Sequence, residues 1–181
     1  MRSRPLPERF VLHDAGWCLR TNRWCARAGV LRYFAAVSRL GDGIAWYALM
    51  LGMIAIGSNG PQAAGHMAAT GLASLLLYKL LKRWTKRPRP FASDVRIRAW
   101  VAPLDEFSFP SGHTLHAVAF TLVALAYYPV LAWLLIPFSA SVAASRVVLG
   151  LHYPSDVLAA TVIGSVLAGV SLWLVPGAGF L

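Results

Sequence analysis

Five blocks of apolar residues, at 41–58, 61–81, 111–128, 129–150 and 155–175, dominate this chain of 181 residues. Each approaches the about 20 apolar residues that a helix needs to cross a hydrocarbon core of about 30 Å. In lipid such a run must satisfy its own backbone hydrogen bonds, and a helix does so within the segment. The expected fold class is therefore all-α, a polytopic membrane helix bundle of about five transmembrane helices. Composition agrees, since 57% of residues are hydrophobic and 13% charged, where a soluble domain carries about 25% charged residues. The blocks leave no room for a second folded domain, and no internal repeat or low-complexity segment stands out.

We divide the chain into a basic N-terminal segment, 1–40, and a transmembrane domain, 41–181. The N-terminal segment does not read as a cleaved signal peptide, because charges are scattered through it and break every apolar stretch. Within it, 27–40 (RAGVLRYFAAVSRL) sets Val30, Leu31, Phe34 and Val37 at helical spacing, with Arg32 and Arg39 on another face. That pattern is an amphipathic helix. It lies either at the membrane interface or packed over the end of the bundle. Cys18 and Cys25 have no metal-like neighbours in sequence and are expected to be free thiols.

The net charge of +10 is unevenly placed. Eight of the 17 Lys and Arg precede residue 40, eight lie in 79–98, and the last is Arg146. With five spans, all three regions fall on one side of the membrane. The excess reads either as the mark of the cytoplasmic face or, in part, as an anion-binding funnel. A membrane bundle is a poor surface for a duplex, so nucleic acid is not an expected partner. A phosphorylated lipid, already in the bilayer, is.

Polar residues collect where the blocks end on that face. Lys82 and Arg89 flank 83–88, and Pro88 and Pro90 prevent a continuous helix there and favour extended backbone. Ser111 is placed to cap the third block. The N–H groups that follow form an anion site at a helix N-terminus, which Gly112 lets an oxyanion approach closely. His113 sits in the first turn and His116 one turn deeper, the latter read as packing or supporting. Arg146 lies about a turn inside the end of the fourth block, where it must find an anion, snorkel or face the interior. Asp156 follows His152 by four residues across Pro154. A carboxylate hydrogen-bonded to one ring nitrogen would fix the tautomer and make the other a better nucleophile or base. His66, inside the second block, is read as a packing residue.

Three stretches, KRWTKRPRP (82–90), PSGH (110–113) and SRVVLGLHYPSD (145–156), resemble the three motifs of the type 2 phosphatidic acid phosphatases, the lipid phosphate phosphatases, in order and spacing. The resemblance implies an integral-membrane phosphatase of the bacterial inner membrane, acting without metal or other cofactor. It implies that His152 attacks phosphorus to form a phosphohistidine, oriented by Asp156, and that His113 protonates the leaving oxygen and then activates water. It also implies that Lys82, Arg89, Ser111, Gly112 and Arg146 hold the non-reacting phosphate oxygens.

Other uses of such a site are transfer of the phosphoryl group to an acceptor besides water, haloperoxidation, and anion transport without chemistry. Haloperoxidase relatives are soluble, which this chain is not expected to be. Transport needs polar groups across the whole membrane, whereas the ionisable residues gather at one face. Sequence leaves open which lipid is the substrate, which side the site faces, and the oligomeric state. The loop 91–109 is expected to cap the mouth of the site.

Overall fold

The computed structural model describes residues 8–56 and 58–175. Helices make up most of it, a long connection over 94–111 apart, with no strand among the described residues. Helix α1 (Glu8–Asn22) leads through a short turn into α2 (Ala28–Arg39). A widened turn at Leu40–Ile44 joins α2 to α3 (Ala45–Ile56). Then come α4 (Gly60–Thr85), the single turn α5 (Pro90–Ser93), α6 (Gly112–Tyr127), α7 (Ala132–Val148) and α8 (Pro154–Leu174).

The centre of the bundle is α6, which packs against α4, α7 and α8. Small residues permit this. Ala117, Ala119 and Ala124 on α6 are fully buried, as are Ala160 and Ala168 on α8. A methyl group on Gly164 would meet the Leu115 carbonyl oxygen at 2.8 Å, so α8 approaches the α6 backbone as closely as a glycine allows. The stripe Ala160, Gly164 and Ala168 faces inward, as small residues in a membrane helix are expected to do.

The outer surface is the reverse. Leu72, Leu76 and Leu80 on α4, and Leu158, Val162, Val166 and Val170 on α8, are exposed at four-residue spacing. Each exposed leucine in water would forgo about 1.5–3 kcal/mol of burial, so such a face belongs in lipid. Among the described residues, three helical stretches, Ala28–Ile56, Pro129–Val148 and Pro154–Leu174, are long and apolar enough to cross a membrane. The protein is an integral membrane protein.

Two features depart from the simplest reading of the sequence. Helix α1 was not foreseen, because 8–22 carries no strong apolar period. The amphipathic helix of 27–40 is present as α2, but it packs along α7 and runs on into α3, so that Ala28–Ile56 is one kinked helix across residue 40. Val37 and Ser38 are buried by that contact, and the Tyr33 hydroxyl lies 2.9 Å from Ser141 Oγ. The two cysteines are free and buried. Neither can therefore serve as a surface label for the orientation of the protein in the membrane.

Candidate active site

The last turn of α4, the first turn of α6, the end of α7 and the start of α8 meet at one end of the bundle. A cavity of about 380 Å³ opens there, lined by Lys82, Arg89, Gly112, His113, Arg146 and His152 at its polar end. It continues between α3 and α4 past Trp46, Met50, Ala68 and Leu72. Tyr47 and Leu72 line it and are also exposed on the outer surface, so the cavity opens sideways toward lipid.

His152 sits on the short α7–α8 connection. Gly150 turns the chain there with φ +77°, and any side chain at that position would strike the Arg98 carbonyl at 2.5 Å. The imidazole is 1% exposed, and its Nδ1 lies 2.6 Å from the Ser108 carbonyl oxygen. A carbonyl only accepts, so Nδ1 carries the proton and Nε2 keeps its lone pair. Arg89 Nη1 donates toward that Nε2 at 3.3 Å. Burial, and then the charges of Arg146, Arg89 and Lys82, push the imidazole well below the usual histidine range. His152 is thus a neutral base with one bare nitrogen, aimed into a cluster of cations.

The cations are held unequally. Lys82 Nζ donates to both carboxylate oxygens of Asp105, at 2.6 and 2.7 Å, and to the Phe107 carbonyl at 3.0 Å. Arg89 spreads its fork over the Asp105 carbonyl and carboxylate and the Leu151 carbonyl, at 2.7–3.0 Å. Arg146 is 2% exposed and donates one Nη1 hydrogen bond to Ser38 Oγ. Its Nε has no partner, and no carboxylate among the described residues lies within ion-pair distance. A buried cation without a counter-ion is costly, and it faces a cavity in which an anion can supply one.

At the other wall, Ser111 caps α6. Its Oγ accepts from the Thr114 backbone N–H across a long 3.5 Å and lies 3.0 Å from Thr114 Oγ1. Gly112 and His113 open the helix into the cavity. The Ser111 hydroxyl, fully buried, is turned into the cap and does not line the cavity. His116 spans the Gly112 and Gly71 carbonyls at 3.0 and 3.1 Å, a packing position between α4 and α6. His66 is remote from the site, paired with the Tyr127 hydroxyl at 3.0 Å.

The expected hydrogen bond between Asp156 and His152 is not what the structure shows. Asp156 Oδ2 lies 3.7 Å from Nδ1, and the Ser108 carbonyl makes the hydrogen bond instead. The reason is local. Asp156 is the third residue of α8, where it accepts from the Tyr153 backbone N–H at 2.9 Å and from Arg87 Nη1 at 2.7 Å. Its oxygens are committed to the helix start and to a cation. Arg87 in turn holds Asp14 of α1 at 2.7 Å and stacks on the Tyr153 ring, with 4.1 Å from Cζ to the ring centroid.

Of the residues singled out from sequence, Lys82, Arg89, Gly112, His113, Arg146 and His152 share the cavity wall, while Ser111 and Asp156 stand behind it. Sequence reasoning gave no role to Asp42 or Arg87, and reached Asp105 and Ser108 only as members of the loop 91–109 expected to cap the mouth, where Leu104 and Asp105 do line the cavity. Arg87 had a legible signal, as the first arginine of RPRP. Burial pushes the Asp105 carboxyl up, but the hydrogen bonds and charge of Lys82 and the charge of Arg89 outweigh it and hold it below the usual carboxylate range. Asp105 therefore stays ionised at neutral pH and occupies the two cations. Asp105→Asn should tighten competitive inhibition by inorganic phosphate about tenfold, the change that about 1.4 kcal/mol brings. An unchanged or weaker inhibition constant would show that the carboxylate does not compete with the anion. Among the described residues, no three His, Cys, Asp or Glu side chains gather as metal ligands would.

A family model described as the PAP2 superfamily matches residues 63–179. The chain is 32% identical over 124 residues to the undecaprenyl-diphosphatase BcrC of Bacillus subtilis, an alignment covering 67% of this chain and 63% of that protein. It is 30% identical over 150 residues to the decaprenylphosphoryl-5-phosphoribose phosphatase of Mycobacterium tuberculosis, covering 80% of each. Among solved structures, it superposes on a transmembrane PAP2-type phosphatidylglycerolphosphate phosphatase from Bacillus subtilis with a TM-score of 0.73 at 22% identity. That superposition covers 93% of this chain and 87% of the other, and it shows a shared fold. The chain spans less than two thirds of the length of the first of these relatives, 63%.

Proposed function

The chain belongs to the PAP2 superfamily, and on that premise we propose that it hydrolyses the phosphomonoester or diphosphate of a membrane lipid. One observation carries the reading: the bare Nε2 of a neutral, buried imidazole faces Arg89, Lys82 and an unpaired Arg146 at the head of a cavity that runs out to the lipid-facing surface. Phosphoryl transfer asks mainly for a positioned nucleophile and for charge stabilisation around the equatorial oxygens. The site supplies both.

In this reading the phosphate enters among the cations and takes the place held by the Asp105 carboxylate. Lys82, Arg89, Arg146 and the Gly112 N–H bind its non-reacting oxygens, and Ser111 supports them by capping α6. His152 Nε2 attacks phosphorus while its Nδ1–H stays on Ser108. The positive charge that develops on the ring is offset by Asp156, 3.7 Å away. His113 gives a proton to the departing lipid oxygen and takes one from the water that later cleaves the P–N bond. His152 must start neutral and His113 protonated, so activity should depend on both in a bell-shaped pH profile. The lipid chain lies along the apolar part of the cavity between α3 and α4. A bacterial inner membrane is the setting that fits a phosphorylated lipid carrier or phospholipid substrate.

The test is release of inorganic phosphate by the protein in lipid nanodiscs. Undecaprenyl diphosphate, phosphatidylglycerol phosphate, phosphatidate and a lipid A phosphate would be supplied in turn. Release from at least one is expected, at a rate unaffected by EDTA. No release from any would refute the phosphatase. Loss in EDTA that Zn²⁺ restores would refute the metal-independent chemistry. In sealed proteoliposomes, phosphate crossing the bilayer without hydrolysis would point to transport.

A further inference from the structure

Asp42 stands in the widened turn between α2 and α3, at Leu40–Ile44. It lies outside residues 63–179, the part of the chain that matches the family, and no sequence pattern marks it. Gly43 has φ +143°, a conformation that side chains rarely adopt, and a Cβ there would also press on the Tyr47 ring at 2.9 Å. The turn breaks the helix at the level of the cavity and directs the Asp42 carboxylate into it. There Asp42 Oδ1 is hydrogen-bonded to Nε2 of His113. His113 Nδ1 makes no hydrogen bond to any described residue, and the ring lines the cavity.

We propose that Asp42 is a positioning residue for the reaction, holding His113 by Nε2–H so that Nδ1 faces the leaving oxygen and donates the proton. The inference rests on the phosphatase reading above and adds to it the residue that arms the acid. Arg146 from α7, Lys82 from α4, and Arg89 and His152 from the connecting segments all face this end of the cavity with positive or neutral groups. His116 lies one turn along α6, Arg39 near Asp42, and Asp105 is tied to Lys82 and Arg89. Among the carboxylates there, Asp42 is the one hydrogen-bonded to His113, and it offsets the cations that oppose an imidazolium.

The proton balance then closes. His152 Nε2 forms a bond to phosphorus as the bond from phosphorus to the lipid oxygen breaks. The Nδ1 proton of His113 passes to that oxygen, and the lipid leaves as a neutral alcohol or, from a diphosphate, as the monophosphate. His113 is left neutral, with Nε2–H still on Asp42. Its Nδ1 next takes a proton from water as the water oxygen attacks phosphorus and the P–N bond breaks. Inorganic phosphate leaves, and both histidines return to their starting protonation.

Such a role predicts a dependence on the leaving group. An alkoxide needs its proton during bond cleavage, whereas p-nitrophenolate departs without one. Asp42→Asn keeps the shape and removes the charge. On phosphatidate its kcat/KM, which reports the steps through lipid release, is expected to fall about a hundredfold. On p-nitrophenyl phosphate the fall should be no more than about threefold, since an acid contributes little to a good leaving group. The alkaline limb of the phosphatidate profile, where His113 loses the proton it must give, should move to lower pH by about one unit. Asp42→Glu should recover part of the loss. An equal loss on both substrates with the pH profile unmoved would reduce Asp42 to a structural role and overturn the proposal. Unchanged or faster turnover of phosphatidate would overturn it too, by showing that substrate displaces Asp42. A wild-type protein inactive on every lipid but unaltered in fold would sink the phosphatase reading itself, a result distinct from either.

Discussion

His152→Ala is expected to lower lipid phosphate release to the level of a mock preparation, a loss of about 10⁴-fold or more, as when a covalent nucleophile is removed. The geometry leaves no substitute. Nε2 of His152 carries no proton and faces the cations, accepting only from Arg89, while His113 has its Nε2 on Asp42 and must carry a proton on Nδ1, and His116 lies between two backbone carbonyls. The Ser108 carbonyl on Nδ1 fixes the tautomer, and burial with the surrounding cations keeps the ring neutral. The loss should be confined to chemistry, because the ring makes two side-chain hydrogen bonds, to the Ser108 carbonyl and from Arg89, and Arg89 keeps its bonds to Asp105 and Leu151 without it. Retained size-exclusion and helical-circular-dichroism profiles would confirm that. Wild-type protein quenched during turnover of ³²P-labelled lipid should carry label that survives base and is lost in acid, and His152→Ala should carry none. Turnover above a few per cent of wild type in the variant would reject the nucleophile.

The second large effect is expected at Arg89, through a substitution that keeps the charge. Arg89→Lys should lower kcat by about 10²–10³-fold while changing KM far less, the scale seen when a preorganised donor at a developing charge is removed. Three nitrogens of the Arg89 guanidinium are in use at once, on the Asp105 carbonyl and carboxylate, the Leu151 carbonyl and His152 Nε2. An ammonium is a compact point charge and cannot reproduce that planar fork. When phosphate replaces the Asp105 carboxylate, the same fork would bridge a phosphate oxygen and the attacking nitrogen, and lysine could hold the first without aligning the second. Steady-state kinetics on phosphatidate and on a diphosphate would measure it. A loss under about threefold on both would remove Arg89 from the site.

The three motifs were readable because chemistry and membrane length act on the sequence locally. Lys82 ends one apolar block, Ser111 to His113 open the next, and Arg146 and His152 close another, so the alternation of blocks puts them on one face. The structure gathers them around one cavity. Asp156 shows where local reading fails. Four residues after a histidine, a carboxylate looks like that histidine's partner, yet the start of α8 and Arg87 take its oxygens first. The partner of His152 is a backbone carbonyl 44 residues away in sequence, and a carbonyl leaves no mark in the residue code.

Asp42, Asp105 and Asp14 illustrate the same limit. Each lies in a segment with no telling period, and each meets its cations or imidazole across 16 to 73 residues. Sequence alone determined the all-helical membrane bundle and the group of basic and histidine side chains at one mouth, because apolar run length and the placement of charge at run ends are properties of the chain in one dimension. Tertiary structure decided which acceptor holds each imidazole and which cation is left unpaired. Those depend on how helices cross, and a crossing set by glycine-sized contacts such as Gly164 on Leu115 brings together atoms whose distance along the chain says nothing about their distance in space.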